Sequence, residues 1–423
     1  MTGRFFVAVI GAALLPVSGG AIEPPETALS RATTVPVMLL DDEAGNYVFP
    51  QSAVDWEPSL FAYGASGPNN ADGGIHLDLF GHDLFYQTRH FDSRTASRTS
   101  MRFESTHSQA GWARSLGAAR VGAAFTWSID ARRERDLDVE DRSGVHREDG
   151  RTRFHLADMQ GGAVGFGWKG SFEIDAVFEL TTESFLSDLT YRDTFSVPFD
   201  SLVIRDALSR DVHMDLKPGG AVRIRVPLRE ELNLRLFGSV RDVGQDLVVS
   251  RTLQRLENGI ITLLEEADST FTSRGSEVAA GFRIEGRRPG SDVGWAAHAW
   301  YERIRSGWRY DPFAIPYLRR QQFRTDLGEV GFSVSRPGPA EILFLGGVSI
   351  EGSWIRERRE TRSPGELLAP EPISLDANSD DRVDFGFGWG ASRSFEEIEL
   401  IASIRATLTP LDPVAYLDVR IPF

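Results

Sequence analysis

Apolar and polar residues alternate with a period of two along much of this chain. Over residues 119–130, Ala119, Val121, Ala123, Phe125, Trp127 and Ile129 fall on one side, and Arg120, Gly122, Ala124, Thr126, Ser128 and Asp130 on the other. A helix would scatter both sets around its circumference, whereas an extended strand puts them on opposite faces. Phe172, Ile174, Ala176, Phe178 and Leu180 repeat the pattern against Glu173, Asp175, Val177, Glu179 and Thr181. Ile398, Leu400, Ala402, Ile404 and Ala406 do so against Glu397, Glu399, Ile401, Ser403 and Arg405. Val383, Phe385, Phe387 and Trp389 oppose Asp384, Gly386, Gly388 and Gly390, and Val222, Ile224 and Val226 oppose Arg223 and Arg225. Each segment runs for roughly nine to twelve residues, the length a tilted strand needs to cross a hydrocarbon layer.

Tight connections are expected near Gly117 and at residues 169–171, 227–229, 287–291, 336–339 and 393–395, which makes six hairpins. Between them lie long charged or Pro-rich stretches, 132–153, 184–218 and 356–381, expected to form loops. Short turns at one rim and long loops at the other is the asymmetry of an outer-membrane barrel. Six hairpins supply twelve strands. One more within residues 75–91 and a last at 414–423 bring the total to about fourteen, an even number with both ends on the periplasmic side. The fold expected is all-β: a single transmembrane antiparallel up-and-down β-barrel.

The N-terminus reads as an export signal. Arg4 precedes an apolar run over residues 5–17, and Ser18, Gly19, Gly20 and Ala21 supply the small residues of a cleavage site after Ala21. That run is too short to span a bilayer as a helix. The longest later run, residues 342–350, contains two glycines and has the length of a strand, so only a closed barrel could satisfy the backbone in lipid. The expected organisation is a signal peptide at 1–21, an N-terminal periplasmic or lumenal segment at 22–74 and an outer-membrane β-barrel at 75–423. Segment 22–74 is rich in Pro, Asn, Gly and acidic residues. A flexible periplasmic tail and a plug folded into the lumen are both open to it, and the apolar groups at 35–40, 47–49 and 59–63 favour the plug.

Composition removes other functions. With 46 Lys plus Arg against 61 Asp plus Glu the net charge is −15, which leaves no basic face for nucleic acid. Cysteine is absent, so disulfides, thiolate metal sites and cysteine nucleophiles are excluded. The eight histidines, His76, His82, His90, His107, His146, His155, His213 and His298, include none in a hydrolase elbow. His76, His82 and His90 would share a face on one strand, yet Gly81 interrupts them. Neither an enzyme nor a cofactor is expected. The string Asp376, Asn378, Asp380 has the spacing of a calcium loop, but Asp381 replaces the required Gly and Phe387 the bidentate Glu, so it reads as a solvated acidic loop. Glu257, Asn258 and Gly259 fit a type I′ hairpin, with a short loop helix over 252–266 as the alternative.

Charges on the polar strand faces would each cost roughly 2–4 kcal/mol if an arginine met mid-bilayer lipid, so they are expected to face the interior. The candidate lumen-lining residues are Arg120, Glu173, Asp175, Glu179, Arg223, Arg225 and Arg235, then Arg283, Glu285, Asp384, Glu397, Glu399 and Arg405. Arg241, Glu277, Glu329, Asp418 and Arg420 share the same parity. Both signs occur, which fits ion pairing better than selection of one ionic substrate. Trp112, Trp127, Trp168, Trp295, Trp300, Trp308, Trp354 and Trp389 lie near strand ends and are expected to form aromatic girdles.

The last strand alternates Ala415, Leu417, Val419 and Ile421 with Tyr416, Asp418 and Arg420 and ends on Phe423. It resembles the terminal signature of bacterial outer-membrane proteins, in which residues like Tyr416 and Phe423 serve as the signal to the barrel-assembly machinery. The run Asp41, Asp42, Glu43, Ala44, Gly45, Asn46, Tyr47, Val48, Phe49, Pro50 resembles the segment ahead of the barrel in the long-chain fatty acid transporter superfamily, where a D-D-A stretch leads to an N-P-A motif. Here Phe49 stands for the Asn and Gln51 for the Ala. The resemblance implies a fourteen-stranded barrel plugged by its N-terminal segment, with Asp41, Asp42, Glu43, Asn46, Phe49 and Pro50 in the plug, moving hydrophobic small molecules across the outer membrane. The same superfamily includes barrels that partner protein secretion or surface attachment. The expected function is therefore an outer-membrane transporter or channel for small hydrophobic solutes in a diderm bacterium. A non-transporting docking barrel and a passive polar porin are the alternatives. Expected partners are outer-membrane lipid, the assembly machinery and a small solute, with the protein a monomer.

Overall fold

The computed structural model describes residues 27–40, 48–65, 69–96, 99–142, 145–197, 200–244, 246–258, 260–287, 290–309, 318–361, 374–395, 398–408 and 411–422. The signal-peptide assignment, Asp41, Asp42, Glu43, Asn46, Glu397 and Phe423 lie outside them. The strands in chain order are β1 (Ser59–Ala65), β2 (Asn69–Leu79), β3 (His82–Ala96), β4 (Thr99–Leu116), β5 (Ala119–Arg142), β6 (Val145–Lys169), β7 (Glu173–Val197) and β8 (Asp200–Arg229). They continue as β9 (Leu232–Asp242), β10 (Asp246–Glu257), β11 (Ile260–Arg287), β12 (Gly294–Arg309), β13 (Leu318–Pro337), β14 (Ile342–Thr361), β15 (Ser374–Phe395), β16 (Ile398–Leu408) and β17 (Leu411–Pro422). Among the described residues ahead of β1 stand a short helix α1 (Ala28–Thr33) and two 3₁₀ turns, Val37–Leu39 and Pro50–Asp55.

All ladders are antiparallel and most join chain neighbours, and β1 pairs with both β2 and β17, which closes the sheet into a barrel. β9 and β10 both lie between β8 and β11, one above the other, so they are two pieces of one interrupted wall strand. The barrel therefore has sixteen wall positions.

That corrects the expected fourteen. The stretch assigned to one strand within residues 75–91 turns back at Phe80 and Gly81, whose φ values of 57° and 75° are those of a type I′ turn. It thus holds parts of two strands, and the face parity switches across it, which separates His76 from His82 and His90. Residues 59–63, read as part of the inner segment, form β1. The barrel begins at Ser59, not at residue 75, because the pairing of β1 with β17 is what seals the ring. The stretches 132–153, 184–218 and 356–381 also differ from expectation: strand pairing runs almost to the tips of the first two, and through residues 356–361 and 374–381 of the third. The inter-strand ladder satisfies the backbone whatever the side chains, so a strand standing in water on both faces loses its apolar alternation without ending.

Burial along the wall is inverted relative to a water-soluble sheet. On β5, Arg120, Gly122, Ala124, Thr126 and Ser128 are buried, while Phe125 and Ile129 are each 51% exposed. Val164 and Phe166 on β6 and Phe385 and Trp389 on β15 are similarly exposed. A continuous apolar outer surface of this kind is stable only against hydrocarbon. Val164→Arg is accordingly expected to lower unfolding stability in lipid vesicles by about 2–4 kcal/mol. A loss well under 1 kcal/mol in a denaturant titration would remove that face from lipid.

Candidate functional site

Three parts of the N-terminal segment press against different sides of the ring, which they can do only from inside. Helix α1 meets β13–β17, the turn Val37–Leu39 meets β9 and β11, and the turn Pro50–Asp55 meets β3–β6. Glycines make the room. A Cβ on Gly347 or Gly388 would lie 2.2 Å from Thr33 O or 2.1 Å from Arg31 O, and one on Gly122 would lie 2.5 Å from Gln51 N. Thr27 caps α1 by accepting from Ser30 N, and Ala28 N donates to Asp418 Oδ2 on β17 at 2.6 Å. The Arg31 guanidinium lies over the Tyr416 ring, 5.1 Å from its centre. Burial, and next the nearby Arg405, pull the Arg31 pKa down to about 10. Tyr416, named above as part of an assembly signal, thus packs inside the barrel.

Below this segment the charged candidates assemble into a network. Asp175, 3% exposed, accepts from Arg120 Nη2 at 3.0 Å, from Arg223 Nη2 at 3.0 Å and from Gln51 Nε2 at 3.2 Å. Arg120 also binds Asp55, and Lys169 Nζ reaches Asp55 at 3.3 Å. Glu173, Arg225 and Arg235 join these residues around a partly open polar cavity. Arg235 and Arg283 each pair with Glu285 at 2.9 Å. Glu179 binds Arg241 and Arg405 binds Glu351, while Asp384 lies 2.6 Å from Arg382 and Glu399 lies 4.0 Å from Arg420. Asp55, Lys169 and Glu351 were not singled out in the sequence. The parity of Glu351 on β14 could have exposed it, whereas Asp55 belongs to an irregular segment with no period to read.

Above the network the lumen turns apolar. Phe49, 1% exposed, meets Phe237 edge to face with ring centres 6.2 Å apart, and Phe237 meets Trp300 at 5.2 Å. Arg223 covers the other side of Phe49, 4.6 Å from its centre. Trp300 therefore points into the barrel and is no part of an outer girdle. Val35, Leu39, Leu40, Val177, Ala221 and Ala279 complete this core. A partly open cavity adjoins it, lined by the apolar Met38, Val48, Val177, Phe237 and Trp300 together with the charged Glu179, Arg241, Glu277 and Glu302.

The interruption of the wall strand adjoins this cavity. The ladder between β8 and its neighbour passes from His213 to Gly219, skipping residues 214–218 opposite the break between Asp242 and Asp246. Val243 N donates to Gly275 O at 3.3 Å and Gly244 N to Asp242 Oδ1 at 2.8 Å, so the break is held shaped. Gly220, Val240 and Arg241, beside it, line the cavity.

The other candidates have structural partners. His76 lies between Glu57 O at 3.2 Å and Asp83 at 3.1 Å, His82 accepts from Trp112, and His298 meets Glu329 at 3.3 Å. Among the described residues no group of three or more metal-binding side chains converges. The string 376–380, read as an acidic loop, belongs to β15 and pairs with residues 355–359 of β14. Asn258, at φ 48°, turns the β10–β11 hairpin, which excludes a helix over 252–266.

No family model and no curated protein matches the chain. Similar solved structures include the Pseudomonas putida toluene transporter TodX, with a TM-score of 0.41 at 11% identity over 94% of this chain and 98% of that one. The CymD monoaromatic hydrocarbon channel has a TM-score of 0.43 at 10% identity over 95% and 98%. A Pseudomonas aeruginosa FadL homologue has 0.45 at 9% identity over 95% and 99%.

Proposed function

We propose that the protein is an outer-membrane barrel that passes small apolar solutes, with residues 27–58 as its plug. The observation that carries this reading is the aromatic cavity resting on the plug inside a barrel whose outer face is apolar. A small apolar solute gains by leaving water for the surface of Phe237, Trp300 and Met38, and the charged margin keeps the approach wet. In this reading the break beside residues 214–218, which adjoins the cavity, is where such a solute would leave toward lipid. Signal-peptide cleavage after Ala21, assembly through the C-terminal strand and a monomeric state belong to the same reading. The paired charges of the lower lumen speak against a passive polar porin, since most of the candidate charges are already engaged with one another.

The test is uptake by cells or vesicles carrying the protein. Trp300→Ala removes one aromatic wall and is expected to raise the half-saturation concentration for a small monoaromatic solute about tenfold, equivalent to 1.4 kcal/mol. Passage of a sugar of similar size should not change. Unaltered aromatic uptake, or sugar uptake by the unmodified protein at a comparable rate, would overturn the reading.

A further inference from the structure

The outward faces of β11–β15 change character in steps toward the rim opposite the tight turns. One cross-strand row reads Phe282, Ala299, Val330, Ile350, Phe385, entirely apolar. The next is Ala280, Tyr301, Gly328, Gly352, Val383, and beyond it comes Val278, Arg303, Asp326, Trp354, Asp381. The fourth row is Ser276, Arg305, Arg324, Arg356, Ser379. Three arginines thus stand directly opposite one another on adjacent strands with a serine at each end. Like charges in register destabilise a sheet, and neighbouring strands are only about 4.8 Å apart.

Asp326 answers part of that charge. It accepts from Arg303 Nε at 2.8 Å, Arg324 Nε at 2.5 Å and Tyr301 Oη at 2.5 Å, so a single carboxylate is shared by two guanidinium groups and fixes their planes. Arg305 and Arg356 remain exposed on either side of Arg324. The row lies four residues past Tyr301 and two past Trp354, at the border where an apolar band gives way to polar surface. Aromatic side chains mark that border in membrane barrels, and the headgroups of the outer leaflet lie at the same depth.

We propose that the Arg305, Arg324, Arg356 row binds the phosphoryl group of an anionic lipid headgroup. Planar guanidinium groups donate in pairs to phosphate oxygens, and a bound phosphate removes the repulsion within the row. The inference rests on the exposed apolar face being the one that meets lipid.

The test uses the full-length protein in phosphatidylcholine nanodiscs doped with a phosphorylated glucosamine lipid or its dephosphorylated counterpart, with retained lipid counted by native mass spectrometry. The unmodified protein is expected to retain the phosphorylated form about tenfold over the other. Arg305→Gln with Arg356→Gln should bring the ratio near one, and Arg305→Lys with Arg356→Lys should keep most of it. Equal retention of both lipids, or a preference that survives the Gln pair, would overturn the proposal. So would inorganic phosphate that displaces the lipid and binds alone as tightly, which would mark a site for the free ion. Failure of the protein to enter nanodiscs at all would instead strike the membrane reading beneath it.

Discussion

Deleting residues 27–56 is expected to convert a blocked barrel into a steadily conducting pore. Barrels of sixteen to eighteen strands enclose a water-filled channel unless something occupies it. Here α1, Phe49 and the turn Pro50–Asp55 occupy the lumen on three sides. The cut must stop short of Ser59, because a deletion through residue 74 would take β1 with it and leave β17 and β2 with no shared partner. A second variant reaches the same end without shortening the chain. Gly388→Val places a side chain where Arg31 O and Ala32 O now lie, a backbone that cannot rotate away. Overpacking of that kind costs about 1–3 kcal/mol, and expelling α1 relieves it. In planar bilayers both variants should carry large ohmic currents while the unmodified protein does not. Equal conductance in all three would refute the plug.

Asp175→Ala should be the most damaging single change in the wall. The carboxylate neutralises Arg120 and Arg223 together and anchors Gln51 of the plug. Arg120 keeps Asp55, so Arg223 bears the loss. Removing one member of a buried ionic group leaves an uncompensated charge and costs about 3–5 kcal/mol. Denaturant unfolding of the folded barrel, followed by its heat-modifiable gel mobility, measures the change. A variant carrying Asp175→Leu, Arg120→Met and Arg223→Met should recover most of that loss, since no charge is then left buried alone. Equal damage in the triple variant would show that packing around Asp175, and not its charge, sustains the network.

The parity of the charged candidates was legible because it is a local property of a strand. Arg120, Asp175, Arg223, Arg235 and Glu285 sit on the polar parity of their strands, and they lie on the buried inner side of the wall. Their pairing was not legible. Asp175 meets Arg120 of a non-adjacent strand, and that contact depends on register and barrel curvature, which no single strand encodes. Phe49 shows the same limit. It stands where the resembling motif has Asn, and the aromatic stack it forms with Phe237 and Trp300 is one that only the folded lumen brings together.

By itself the sequence determined the strand class and the opposed polar and apolar faces of its strands, because a period of two is imposed by the geometry of the extended backbone. Only the tertiary structure decided where the barrel begins, how many positions its wall has, and how far the strands run past the apolar band. Those depend on hydrogen bonds between distant segments, which pair regardless of side-chain polarity. A charged strand and a charged loop look alike along the chain and differ only in whether a neighbour lies alongside.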